Sequence, residues 1–138
     1  MKEVILGINT IGEKMEVCLI EGQKIINFLD WDKNNNESEK VLRNVSNLID
    51  CTNLKLNDIG YIAITVGPGS YTGTRIGVSI ANALAYSLEA KIIEINAHDL
   101  ENIDLKNLLT SLEISDVTTL KVAIPVYAKQ PTITLKKF

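Results

Sequence analysis

Residues 61–77 limit the possible folds more than any other stretch of the chain. Tyr61-Ile62-Ala63-Ile64-Thr65-Val66 is almost wholly apolar, as a strand is when its sheet is covered on both faces. Gly67-Pro68-Gly69-Ser70-Tyr71-Thr72-Gly73 follows, then a helix expected from about Thr74 to Leu88. Lys91-Ile92-Ile93-Glu94-Ile95 reads as a further strand, which completes a βαβ unit and requires part of the sheet to be parallel.

The flanking sequence supplies the rest of an α/β domain. Residues 4–10, 16–20 and 24–29 are apolar and β-branched, with turns at Ile11-Gly12-Glu13-Lys14 and Glu21-Gly22, so they predict an antiparallel three-strand meander. Ser38 is expected to cap a helix reaching about Asp50, whose Val41, Leu42, Val45, Leu48 and Ile49 form one stripe. Asp99 is expected to cap an amphipathic helix carrying Leu100, Ile103, Leu108, Leu109 and Leu112, and 121–127 reads as a last strand before the tail at Gln130-Pro131. The order βββ-α-β-α-β matches an α/β half-domain of the actin/ribonuclease-H type: a mixed sheet, its meander extended by parallel strands, with helices on both faces.

Composition excludes several functions. Fourteen basic against seventeen acidic residues leave a net charge of −3, so unaided tRNA or DNA binding is disfavoured. The single histidine, His98, leaves no His-pair metal site and little scope for a Ser-His-Asp triad, and its polar surroundings suggest a solvated loop. Cys18 and Cys51 stand far apart and are expected to be buried small hydrophobes in a reducing, cytoplasmic protein. No segment reaches the roughly 20 apolar residues of a membrane-spanning helix.

Three glycines in seven residues let other groups approach the backbone closely, and Pro68 is expected to push Gly67 towards an extended conformation. Free N–H groups at the start of the following helix suit an anion. The spacing is neither a P-loop nor a dinucleotide fingerprint, since no lysine follows Gly73 and Gly67-x-Gly69 is followed by glycine only four residues on. A tight strand-to-helix turn and a ligand or partner loop stay equally open. Gly77, Ser79, Ala81, Ala83 and Ala85 give the helix a small-residue surface that another helix can approach closely.

The run Gly67-Pro68-Gly69-Ser70-Tyr71-Thr72-Gly73-Thr74-Arg75-Ile76-Gly77 meets every position of G-P-G-S-[FY]-T-G-x-R-[IV]-G, and by it the chain resembles the TsaB/YeaZ family. Ile5-Leu6-Gly7-Ile8-Asn9-Thr10 and Pro125-Val126-Tyr127-Ala128-Lys129 are similar to that family's opening and C-terminal motifs. The resemblance implies a non-catalytic adaptor that binds and activates TsaD for N6-threonylcarbamoylation of adenosine 37 in tRNAs reading codons that begin with A. It implies no cofactor of the chain's own, ATP and a metal supplied by the partner complex, TsaE as a further partner, indirect contact with tRNA, no membrane, and a homodimer when alone. The faces that match are Val41, Leu42, Val45 and Leu48 on one helix and Val78, Ala81, Asn82 and Ala85 on the other.

Three departures qualify what the resemblance implies. Asn9 stands where relatives of the fold carry a magnesium-holding aspartate, Asn36-Glu37-Ser38 lacks the histidine common at the first helix, and the second domain is almost missing. The expected organisation is therefore a first domain over 1–98, a remnant or linker helix over 99–120, and a returning strand and tail over 121–138. The alternative is a stand-alone phosphotransferase-like protein binding nucleotide at the glycine loop, with Thr10, Ser70 and Thr72 on phosphate and Arg75 as clamp.

Overall fold

The computed structural model describes residues 3–33 and 37–127. One five-stranded sheet runs through it, built of β1 (Val4–Asn9), β2 (Lys14–Glu21), β3 (Lys24–Asp32), β4 (Ile59–Gly67) and β5 (Lys91–Asn96) in the order β3-β2-β1-β4-β5. The β1–β2 and β2–β3 pairs are antiparallel, and β1–β4 and β4–β5 are parallel. The short turns of the meander allow only antiparallel neighbours, whereas β4 and β5 are joined through α2 (Tyr71–Leu88) and lie parallel.

Alternation along β1 sorts the core into two layers. Leu6 and Ile8 face a cluster with α1 (Glu37–Asp50) and α2 that includes Val41, Leu48, Ile62, Ile64, Ala81 and Ala85. Ile5 faces the other cluster, with Cys18, Ile20, Ala63 and Ile93, under α3 (Leu105–Thr110). Gly7 faces α3 as well. A Cβ there would lie 2.6 Å from Cys18 Sγ and 2.7 Å from Leu109 Cδ1, so the glycine sets how closely α3 approaches.

Several boundaries differ from those read in the sequence. α1 begins at Glu37, so Ser38 lies within its first turn and is not its cap. α2 begins at Tyr71, three residues early, because Ser70 Oγ accepts the Gly73 N–H at 3.1 Å and Ser70 O accepts the Thr74 N–H. The expected helix from Asp99 breaks up: Asn96 caps a 3₁₀ turn at Ala97–Leu100, and Asp104 caps the six-residue α3. Residues 121–127 form no strand, making only the isolated bridge Gly69–Tyr127, with Leu120 bridged to Ile92 just before them. The rest of the tail, including Gln130-Pro131, lies outside the described residues.

Candidate functional site

The glycine motif is closed by a strap, residues 120–127, crossing from β5 to the end of β4. Ile92 and Leu120 exchange two backbone hydrogen bonds of 2.7 and 2.8 Å. The Asn82 side chain then takes both backbone groups of Ala123, its Nδ2 donating to Ala123 O at 3.0 Å and its Oδ1 accepting from Ala123 N at 2.7 Å. Val126 N donates to Val66 O at 2.7 Å, and the Val126 carbonyl fills the space that a Gly67 side chain would need. Gly67 has φ of +124° and precedes a cis Pro68, in place of the extended backbone expected of it. Only glycine suits that conformation and that contact.

The remaining polar groups of the motif face one another. Thr10, fully buried at the end of β1, donates from Oγ1 to Gly73 O at 2.6 Å, and the same oxygen lies against the Cα of Gly77. A hydroxyl can sit there only because Gly77 has no side chain. Tyr71 stacks on Tyr127 with ring centroids 4.8 Å apart, and the Arg75 guanidinium lies 5.0 Å from the Tyr71 ring centre while donating to its hydroxyl at 3.4 Å. Arg75 is thus held on Tyr71 and makes no ion pair with a carboxylate among the described residues. Thr10 and Ser70, two of the hydroxyls that would have held phosphate, are engaged within the loop itself.

The helical surface needs a correction. Val41, Val45, Leu48, Val78, Ala81 and Ala85 are at most 4% exposed, because the apolar stripe of each helix packs against the chain's own sheet. Apart from an edge of Val45 they present no surface to a partner, and Asn82 is occupied by the strap. Of the assigned interface set only Leu42 is open, at 49%. Around it lie two shallow apolar depressions of about 220 and 380 Å³ that share Leu42 and Leu84. Leu56 borders the first, and Ile80 and Ala83 border the second. The signal for this surface was present one position round each helix, at Leu42 beside Val41 and at Ile80, Ala83 and Leu84 beside Ala81.

Comparison with known proteins converges on these same elements. The family model of TsaD, tRNA N6-adenosine threonylcarbamoyltransferase, matches residues 33–101, half of the chain, and that span holds α1, the glycine motif and α2. Two tRNA threonylcarbamoyladenosine biosynthesis proteins TsaB are similar along most of the chain. That of Buchnera aphidicola is 30% identical over 70% of this chain and 45% of its own length, and that of Bacillus subtilis 32% identical over 67% and 41%. The chain belongs to the TsaB/YeaZ family. It spans about half the length of these relatives. A tRNA N6-adenosine threonylcarbamoyltransferase of Clostridioides difficile is 35% identical over 62% of this chain but only 27% of its own length. The YeaZ structure from Pseudomonas aeruginosa superposes with a TM-score of 0.63 at 23% identity, covering 68% of this chain and 44% of that one, which establishes the actin-like fold. In this family member no helix among the described residues is long and apolar enough to cross a membrane.

Residues outside the motif are quieter. His98 is exposed, its Nδ1 3.0 Å from Glu101 Oε1. Burial, and next the charge of Glu16, push the Cys18 thiol far above its ordinary range, so it stays protonated. Cys51 is exposed rather than buried, because α1 ends one residue before it. Sequence reading missed Glu16, the one buried acidic residue among the described residues. Its Oε1 accepts the Leu105 N–H at 2.9 Å and its Oε2 faces Lys106 Nζ at 3.3 Å, while Lys106 also meets Asp104 at 2.6 Å. The trio anchors α3 to the sheet. A carboxylate in a strand register otherwise turned to the core was the available sign.

Proposed function

We propose that this chain is a non-catalytic adaptor in tRNA threonylcarbamoyladenosine synthesis, binding TsaD and holding it in its active form for modification of adenosine 37. The observation that carries the reading is the apolar surface around Leu42 and Leu84, formed by α1 and α2 with Ile80 and Ala83 and bordered by Leu56 from the 3₁₀ turn Leu56–Asp58. Docking there is hydrophobic and shape-based, since small residues on α2 let a second helix approach closely. The same surface serves a homodimer of the free protein, so self-association and TsaD binding compete. ATP and metal belong to the partner complex, TsaE joins it, tRNA is reached through TsaD, and the assembly works in the cytoplasm.

Co-purification with TsaD of the same organism tests this, comparing wild type with Ala83→Arg and Leu42→Arg, both exposed positions of that surface. Both positions are accessible enough to accept the cation without unfolding, and the expected result is loss of the complex with an unchanged melting temperature. If both folded variants retain TsaD and restore tRNA modification, the adaptor surface is not here.

A further inference from the structure

A second concavity, of about 310 Å³, opens on the α3 side of the sheet beside the β1–β2 turn, away from the helical surface and the strap. Its charged wall is set by strand register. Asn9 pairs with Glu16 and Glu16 with Asp30 across β1, β2 and β3, while Lys14, two residues before Glu16, projects to the same face. Glu16 is satisfied by α3. Among the described residues the Lys14 and Asp30 side chains make no ion pair or hydrogen bond, and of the Asn9 amide only the oxygen is engaged, accepting from Ile11 N at 3.1 Å. Leu100 and Ile103 form the apolar rim, Ile103 being 37% exposed.

We propose that this concavity binds a small zwitterion of the free amino-acid class. Lys14 and Asp30 are diagonal neighbours, whose Cβ atoms lie roughly 7–8 Å apart across an antiparallel ladder. The two side chains do not meet, and a ligand carrying an ammonium and a carboxylate on one carbon bridges them. Lys14 takes the carboxylate, Asp30 the ammonium, the Asn9 amide donates a further hydrogen bond, and the ligand side chain lies on Leu100 and Ile103. A simple anion meets Asp30, Glu16 and Asp104, and a simple cation meets Lys14 and, beside Glu16 and Asp104, the Lys106 that already neutralises them, so a single charge of either sign is opposed. The volume sits at the low end of small-molecule sites.

Calorimetric titration of the full chain with individual free amino acids at millimolar concentration is the test, with sodium phosphate and magnesium chloride as separate probes. Saturable binding of an amino acid is expected, weakened about tenfold or more by Lys14→Ala and again by Asp30→Ala, as loss of a charged hydrogen bond requires. Both side chains are exposed, so melting curves of the variants are expected to overlay the wild type. The absence of saturable heat with every amino acid overturns the proposal. So does binding unaffected by either substitution in folded protein, or equal binding of phosphate or magnesium alone, which would mark a simple ion site.

Discussion

Thr10 and Gly77 show how a single atom fixes the motif. The Thr10 hydroxyl donates to Gly73 O and lies against Gly77 in a place with no room for a methyl group. Gly77→Ala forces strand β1 and helix α2 apart, and we expect a loss of about 1–3 kcal/mol in chemical denaturation, the ordinary effect of overpacking a dense core. Thr10→Val removes the donor with little change of shape and takes from the Gly73 carbonyl the hydrogen bond it accepts beyond those of α2, so a loss of about 0.5–1.5 kcal/mol is expected there. An unchanged midpoint for both variants would contradict this account of the contact. The glycine count of the motif was plain in the sequence. That Gly77 receives a threonine hydroxyl and Gly67 a carbonyl depends on chain segments 67 and 59 residues away in sequence (77 − 10 and 126 − 67), which no local pattern reveals.

At the scale of elements, α3 is too short to hold by itself, since isolated helices below about 12–15 residues are marginal in water. It is held by Leu105 and Leu109 and by the Glu16–Lys106–Asp104 trio. Partial desolvation raises Asp104, but the Lys106 ammonium and the Asn107 N–H outweigh it and leave the carboxyl below its usual range. Desolvation likewise opposes the charge on Lys106, and the carboxylates of Asp104 and Glu16 overcome it and raise the ammonium. The signs then follow. Asp104 stabilises the folded state above its unfolded value of about 3.9 and loses that contribution as pH falls through its lowered folded value. Lys106 stabilises fully below about 10.4 and loses its contribution as pH rises through its raised folded value. Melting temperature against pH is therefore expected to fall at both extremes, and Lys106→Met is expected to flatten both limbs. Strand and helix periodicity made the meander, β4 and α2 legible. The α3 region was misread because Asp99 and Asp104 are equivalent caps in sequence, and only docking on Glu16 separates them. The apolar stripes of α1 and α2 were read correctly as faces, but the sheet of the same chain covers them.

For the whole molecule, the two layers are unequal. Two long helices seal one face of the sheet, and six residues of α3 with short 3₁₀ turns seal the other. Amide exchange is expected to be slowest in β2, β1 and β4, which are paired on both edges, and to report opening of 97–116 well below the global unfolding free energy. Uniform protection across 97–116 and β4 would show that the layers open as one unit.

The anchors of the strap all lie early in the chain: Val66, Gly67, Tyr71, Asn82 and Ile92. Outside the docked α3, what joins residue 96 to residue 120 therefore acts as a tether whose contour can vary while both of its moorings stay put. Closure entropy grows only with the logarithm of length, about 0.6 kcal/mol for each doubling. The fold is thus an open socket: a module of almost any size can be threaded into that tether without disturbing the clasp around the glycines.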